Sequence, residues 1–181
     1  DLLGLLNCLV VAKWPREAAL KRGALKRCSS PESAFAFAGG FSAAGNTPSD
    51  INTAMTISAN SLQRCLKHAL PYLNPGSSTV TLTYAASNRF VPNYGIMSMA
   101  KAALECWTRE LACHLGPEGH RVNAISSGPI RTIAASGVPG FDNILDHVEA
   151  NSPLRRNVNQ EDVAGATLWL ASPLSSGVTG Q

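Results

Sequence analysis

Nowhere in the 181 residues does an apolar run approach the ~20 needed to cross a bilayer, which excludes a membrane-spanning helix. The longest candidate, Leu2 to Val11, is too short. It also lacks a basic lead-in and a small-residue cleavage site, so a secretory leader is not expected. The five cysteines (Cys8, Cys28, Cys65, Cys106, Cys113) are odd in number, and no two have CxxC spacing. A disulfide framework and a thiolate metal centre are therefore not expected; the thiols read as buried or idle in a reducing cytosol. The four histidines are scattered. His114 follows Cys113 directly, which on a helix turns the two side chains about 100° apart and excludes a nucleophile–base pair. Repeats and low-complexity segments are also lacking. Charged residues are 15% and hydrophobic ones 45%, a balance that excludes a disordered chain and fits one domain with a substantial core.

The net charge of +3 is unevenly placed. Residues 1–46 hold six of the 15 Lys/Arg (Lys13, Arg16, Lys21, Arg22, Lys26, Arg27) and three of the 12 acids (Asp1, Glu17, Glu32), leaving nine of each sign beyond. The excess sits in WPREAALKRGALKRC. Clustered Lys/Arg can neutralise phosphates, but the stretch has no interleaved aromatics and no nucleic-acid module. A solvated basic helix face is the better reading, and no nucleic-acid partner is expected.

From residue 47 the chain alternates helix and strand. TPSDINTAMTISANSLQRCLKHALPYL reads as a helix with Thr47 or Ser49 as N-cap, stopped at Leu73-Asn74-Pro75-Gly76. STVTLTY alternates Val80, Leu82 and Tyr84 with threonines, a strand pattern. A loop with Pro92 leads into a helix over about Tyr94 to Leu115, ended by Gly116-Pro117. RVNAIS is a short buried strand followed by the loop SGPIRT. Ile133 to Pro153 reads as a mobile stretch. Asn159-Gln160-Glu161-Asp162 opens a last helix, with acids at its positive end, that stops at Ser172-Pro173. This order predicts an α/β doubly wound, Rossmann-like parallel sheet, whose ligands bind beyond the carboxyl ends of the strands. Tyr84 and the segment Ser126 to Thr132 both lie there, facing one crevice.

Tyr94 and Lys101 are seven residues apart, two helical turns, and so share a face. Tyr84 lies at the neighbouring strand end, beside the hydroxyl of Thr83. A phenol has an ordinary pKa of about 10 and becomes a useful donor near neutral pH beside a fixed cation, which Lys101 supplies. Each residue also has a plainer reading: Tyr84 as a core strand residue, Met97 and Phe141 as packing, Gly128-Pro129 as a turn.

From Thr47 onward the chain resembles the NADH-dependent enoyl-acyl-carrier-protein reductases, members of the short-chain dehydrogenase/reductase superfamily. The resemblance is carried by TLTYAASNRFVPNYGIMSMAKAALE, LGPEGHRVNAISSGPIRTIAASG, SPLRRNVNQEDVAG and SSGVTGQ, and covers about three quarters of the chain. The Tyr-x6-Lys spacing sets this family apart from the superfamily's commoner Tyr-x3-Lys. The resemblance implies that Tyr84, Tyr94 and Lys101 are catalytic. Tyr94 would bond the thioester carbonyl oxygen, Lys101 the nicotinamide ribose, and Tyr84 would line the acyl pocket. Thr83, Gly128, Pro129, Ile130 and Thr132 would hold the nicotinamide end of NAD(H), with Ile130 at the carboxamide. Met97, Ala134, Val138 and Phe141 would face the acyl chain, and Ile133 to Leu145 would be the substrate-binding loop. The implied partner is an enoyl thioester on acyl carrier protein. The implied setting is cytoplasmic, within fatty-acid synthesis, and the implied assembly is a homotetramer.

The chain departs from that family in five ways. No glycine-rich pyrophosphate loop is found; the cluster AFAFAGGFSAAG falls where the family has its fourth strand and the loop beside the nicotinamide. The acid that reads the adenosine end is missing. Residues 1–33 have no counterpart, which points to a foreign or misread segment. The chain stops at SSGVTGQ, where the family enters a final strand. Asn88 and Ala86 stand where the family often has an acid and a glycine. The expectation is an atypical basic segment over 1–45 and the C-terminal part of a reductase domain over 46–181, incomplete at both ends. An inactive fragment without the pyrophosphate loop is the alternative, and another short-chain reductase acting on a carbonyl is a further one.

Overall fold

Ala100, Leu104, Thr108, Ala112 and Leu115 recur every three or four residues and are buried, so one stripe of a long helix must face the interior. The computed structural model describes residues 10–12, 46–92, 94–132, 135 and 140–181. In it that helix, α3, runs Gly95–Leu115 and packs on α2 (Asn60–Ala69), whose Leu62, Leu66 and Ala69 follow the same spacing. Leu62, Leu66, Leu104, Ala112, Leu115 and Val122 form the central cluster. Leu62, Leu66 and Leu104 are at most 1% exposed, and such burial stabilises by about 1.5–3 kcal/mol per side chain.

α1 (Pro48–Ala54) begins at Thr47, which resolves the choice of cap. The Thr47 hydroxyl accepts from the Asp50 amide at 3.3 Å, and the Asp50 carboxylate accepts from the Thr47 amide at 2.9 Å. The single helix expected over residues 47–73 is interrupted by a π-helical turn, Met55–Ala59, between α1 and α2. Such a turn inserts one residue, and residue periodicity does not reveal it.

β2 (Ser78–Thr83) and β3 (Arg121–Ser126) pair in parallel, with Thr79 opposite Val122 and Thr83 opposite Ser126. This parallel pair with its connecting helix bears out the α/β architecture. Two details differ from expectation. β1 (Val10–Ala12), from the basic N-terminal segment, pairs antiparallel with β2, Val10 opposite Val80. An open strand edge presents unpaired amides and carbonyls and accepts a strand running either way. The stretch read as mobile contains a regular helix, α4 (Phe141–Asn151), with Leu145 buried. Its Phe141, Ile144, Leu145 and Val148 recur at i, i+3, i+4 and i+7, so the helical signal is present in the residues.

α5 (Gln160–Ala171) begins at Asn159 with a capping box to Asp162, as the acids at its start foretold. The Arg121 guanidinium donates to the carbonyls of Leu170 (2.8 Å), Ser172 (3.2 Å) and Val178 (3.1 Å). A cation thus ties the negative end of α5 to β3. Residues 178–181 lie along β3: the Gly180 amide donates to Val122 at 2.8 Å and the Ala124 amide to Gln181 at 2.6 Å. The carboxyl ends of β2 and β3 therefore open on the same side, where α3 begins.

Among the described residues no helix is long and apolar enough to cross a membrane, and no His, Cys, Asp and Glu cluster suits a metal. Among the described residues Cys65 is half-buried, and Cys106 and Cys113 are exposed.

Candidate active site

Tyr84 leaves β2 with extended backbone (φ −150°, ψ 148°), and Tyr94 occupies the position just before α3. The short turn between them, Ala85–Ser87, folds the chain back so that the rings meet, centroids 4.9 Å apart and planes tilted by 50°. Ten residues of sequence separation thus become one aromatic contact. Burial, reinforced by the neighbouring Tyr84, pushes the Tyr94 phenol up to about 12. Burial also raises Tyr84, against a smaller opposing effect of Arg89. In the structure desolvation dominates, and Tyr94 remains a neutral O–H donor throughout the physiological range.

Lys101 lies within the buried stripe of α3 and is only 4% exposed. A buried ammonium requires hydrogen-bond acceptors, and its Nζ donates to the Leu82 carbonyl at 2.9 Å. That carbonyl belongs to the strand leading to Tyr84. The charge is consequently held at the carboxyl end of β2. One turn further along α3, the Glu105 carboxylate accepts the Thr83 hydroxyl at 2.7 Å. Two side chains of α3 therefore grip two consecutive residues of β2.

Met97, on the first turn of α3, lies against the π-helical turn, with the Ser58 hydroxyl 3.8 Å from its sulfur. Pro129 is buried, Ile130 half-buried, and a Cβ added to Gly128 would come within 3.2 Å of Val158 Cγ2. The Thr132 hydroxyl accepts from the Ala135 amide at 3.1 Å. Arg131 and Asp142, both exposed, pair at 2.8 Å and join this loop to the start of α4 beside Phe141. An open groove of about 510 Å³ runs between the loop, α4 and the start of α5, lined by Ile130, Arg131, Leu145, Asn157 and Val158 among others; neither tyrosine nor Lys101 lines it.

The structure therefore gathers Thr83, Tyr84, Tyr94, Met97 and Lys101 at the mouth of β2, and Gly128, Pro129, Ile130 and Thr132 in the loop after β3. Ala134 and Val138 lie outside the described residues. Sequence reasoning missed Glu105, Ser58 and the Leu82 carbonyl. Glu105 carried a signal, since it follows Lys101 by four residues on one helix face. A backbone carbonyl carries none.

Residues 32–181 match the enoyl-(acyl carrier protein) reductase family, a match that begins ahead of the boundary near residue 45 drawn from sequence. The enoyl-acyl-carrier-protein reductase (NADH) FabI of Haemophilus influenzae is 50% identical over 125 residues, which are 69% of this chain and 48% of that protein. The Escherichia coli K12 counterpart is 49% identical over 125 residues, with the same two coverages, 69% and 48%. A crystal structure of the Bacillus cereus enoyl-acyl carrier protein reductase with NADP+ and indole naphthyridinone is also similar, with a TM-score of 0.75 and 42% identity. The likeness covers 78% of this chain and 55% of that one. The chain spans about half the length of the curated relatives it matches. With its Rossmann-like α/β fold and its Tyr-x6-Lys helix end, the chain belongs to the enoyl-acyl-carrier-protein reductase family.

Proposed function

We propose that this chain carries the substrate and nicotinamide-ribose end of an NADH-dependent reductase of trans-2-enoyl thioesters on acyl carrier protein. The observation that carries the reading is the meeting of Tyr84 and Tyr94 beside the buried Lys101 at one strand end. The residues present fit that end of the cofactor. Lys101 brings an ammonium to the mouth of β2, suited to ribose hydroxyls, and its bond to Leu82 fixes where that charge sits. Gly128 keeps the loop after β3 flush, where a Cβ would press on Val158. Thr83, Pro129, Ile130 and Thr132 complete the proposed nicotinamide contacts.

Bound NADH would supply a hydride to the enoyl double bond. Tyr94 would donate its O–H to the thioester carbonyl oxygen and stabilise the charge that develops there. Burial supports that role, because it keeps the proton on the phenol. Tyr84 would buttress the Tyr94 ring and line the acyl pocket with Met97, Phe141, Ala134 and Val138. The family's cytoplasmic setting and homotetramer belong to the same proposal. Residues 46–181 would carry it, preceded by an atypical basic segment over 1–45.

The test is an NADH titration of the purified chain followed by fluorescence, with Lys101→Ala as control, then turnover of an enoyl against a ketoacyl thioester. Saturable binding that Lys101→Ala abolishes, with preference for the enoyl thioester, is expected. A folded chain that binds no NADH would instead be a remnant retaining the acyl pocket alone. Preference for the ketoacyl thioester would make it a carbonyl reductase.

A further inference from the structure

Thr83 is buried (7% exposed), and its hydroxyl lies 2.7 Å from Glu105 Oε1. An ionised carboxylate has no proton to give, so the hydroxyl is the donor and its single proton is committed. What Thr83 presents at the strand mouth is then oxygen lone pairs: it can accept a hydrogen bond there but not donate one. Next to it, the Lys101 ammonium is bound to the carbonyl of the preceding residue, Leu82, and an ammonium can only donate. The two groups are complementary. A hydroxyl that accepts from the ammonium still has its own proton to place, and Thr83 offers an acceptor beside it.

We propose that Glu105 is a positioning residue: by holding the Thr83 proton it fixes Thr83 as the acceptor for a ribose hydroxyl of the cofactor. The inference rests on the cofactor reading above and adds a direction to it, from ammonium to ribose hydroxyl to Thr83 to Glu105. Without the carboxylate the Thr83 hydroxyl could rotate and present its proton, leaving the ribose hydroxyl's own proton without that acceptor.

Two measurements test this. In the cofactor-free chain, proton NMR of the Thr83 hydroxyl should show a slowly exchanging signal that Glu105→Leu removes and Glu105→Gln, whose amide oxygen can still accept, retains. A Thr83 proton that exchanges freely in the unmodified chain would overturn the inference whatever the chain binds. Calorimetric titration then compares NADH with analogues lacking the 2′- or the 3′-hydroxyl of the nicotinamide ribose. Glu105→Leu should weaken NADH about tenfold, the scale of one well-placed hydrogen bond. Its affinity for the analogue lacking the bonded hydroxyl should not change, and Glu105→Gln should stay close to the unmodified chain. Equal weakening of NADH and both analogues, or none of any, would overturn the inference and leave the cofactor reading standing. Failure of the unmodified chain to bind NADH would overturn that reading and the ribose half of the inference with it. The hydroxyl signal would then still decide whether Glu105 orients Thr83.

Discussion

The ring of Tyr84 leans on that of Tyr94, centroids 4.9 Å apart, and so helps to bury the phenol that ends the Tyr-x6-Lys pattern. Desolvation raises that phenol to about 12, above the ordinary 10. The folded state therefore holds the Tyr94 proton more tightly than the unfolded state. Its stabilising effect is complete below about pH 10 and is lost as the pH rises through about 12. The loss amounts to roughly 2–3 kcal/mol. Denaturant unfolding between pH 9 and 12 should show this decline. In Tyr94→Phe the decline should be much smaller, and an unchanged pH profile in that variant would contradict the assignment.

Leu104 is fully buried at the centre of the cluster joining α2, α3 and β3. Leu104→Ala should cost about 2–5 kcal/mol, the usual range for an emptied core leucine site. Leu168→Ala, at a position 71% exposed, should change stability far less in the same urea titration. Equal effects would mean that the packing described around α3 is wrong.

Gly128 is constrained by space. A Cβ there would approach Val158 Cγ2 to 3.2 Å, so Gly128→Ala should destabilise by about 1 kcal/mol through overpacking. Trimming the neighbour relieves the clash. The double variant with Val158→Ala should be less destabilised than the two single costs added together, a coupling read from thermal unfolding.

Asp162 caps α5 and pairs with Arg156 through both carboxylate oxygens, at 2.5 and 3.0 Å. The hydrogen bond from Arg156, then the one from the Asn159 amide, lowers its pKa to about 2. A depressed carboxyl stabilises the fold above its unfolded value near 4, and the contribution is lost as the pH falls through about 2. Carboxyl carbon-13 titration should find Asp162 at that low value, and Arg156→Ala should bring it back toward 4. A value near 4 in the unmodified chain would rule out the pair as drawn.

Much of this protein is local in origin and was legible in its residues. Thr47 and Asn159 signal helix starts because their side chains bond backbone amides three residues on. Alternation marks β2, the four-residue stripe marks α3, and the Tyr-x6-Lys spacing with its flanking motifs places the chain in its family. Other features depend on groups distant in sequence, and only the tertiary structure decided them. The antiparallel seat of β1 depends on an open edge some seventy residues away. The π turn before α2 arises from packing that periodicity does not encode. The sequence placed a tyrosine and a lysine on one face of a helix. Folding decided that burial would raise the phenol, and that Glu105 would take the proton of Thr83. Desolvation and hydrogen-bond direction belong to the assembled surroundings of a group, and a linear pattern does not contain them.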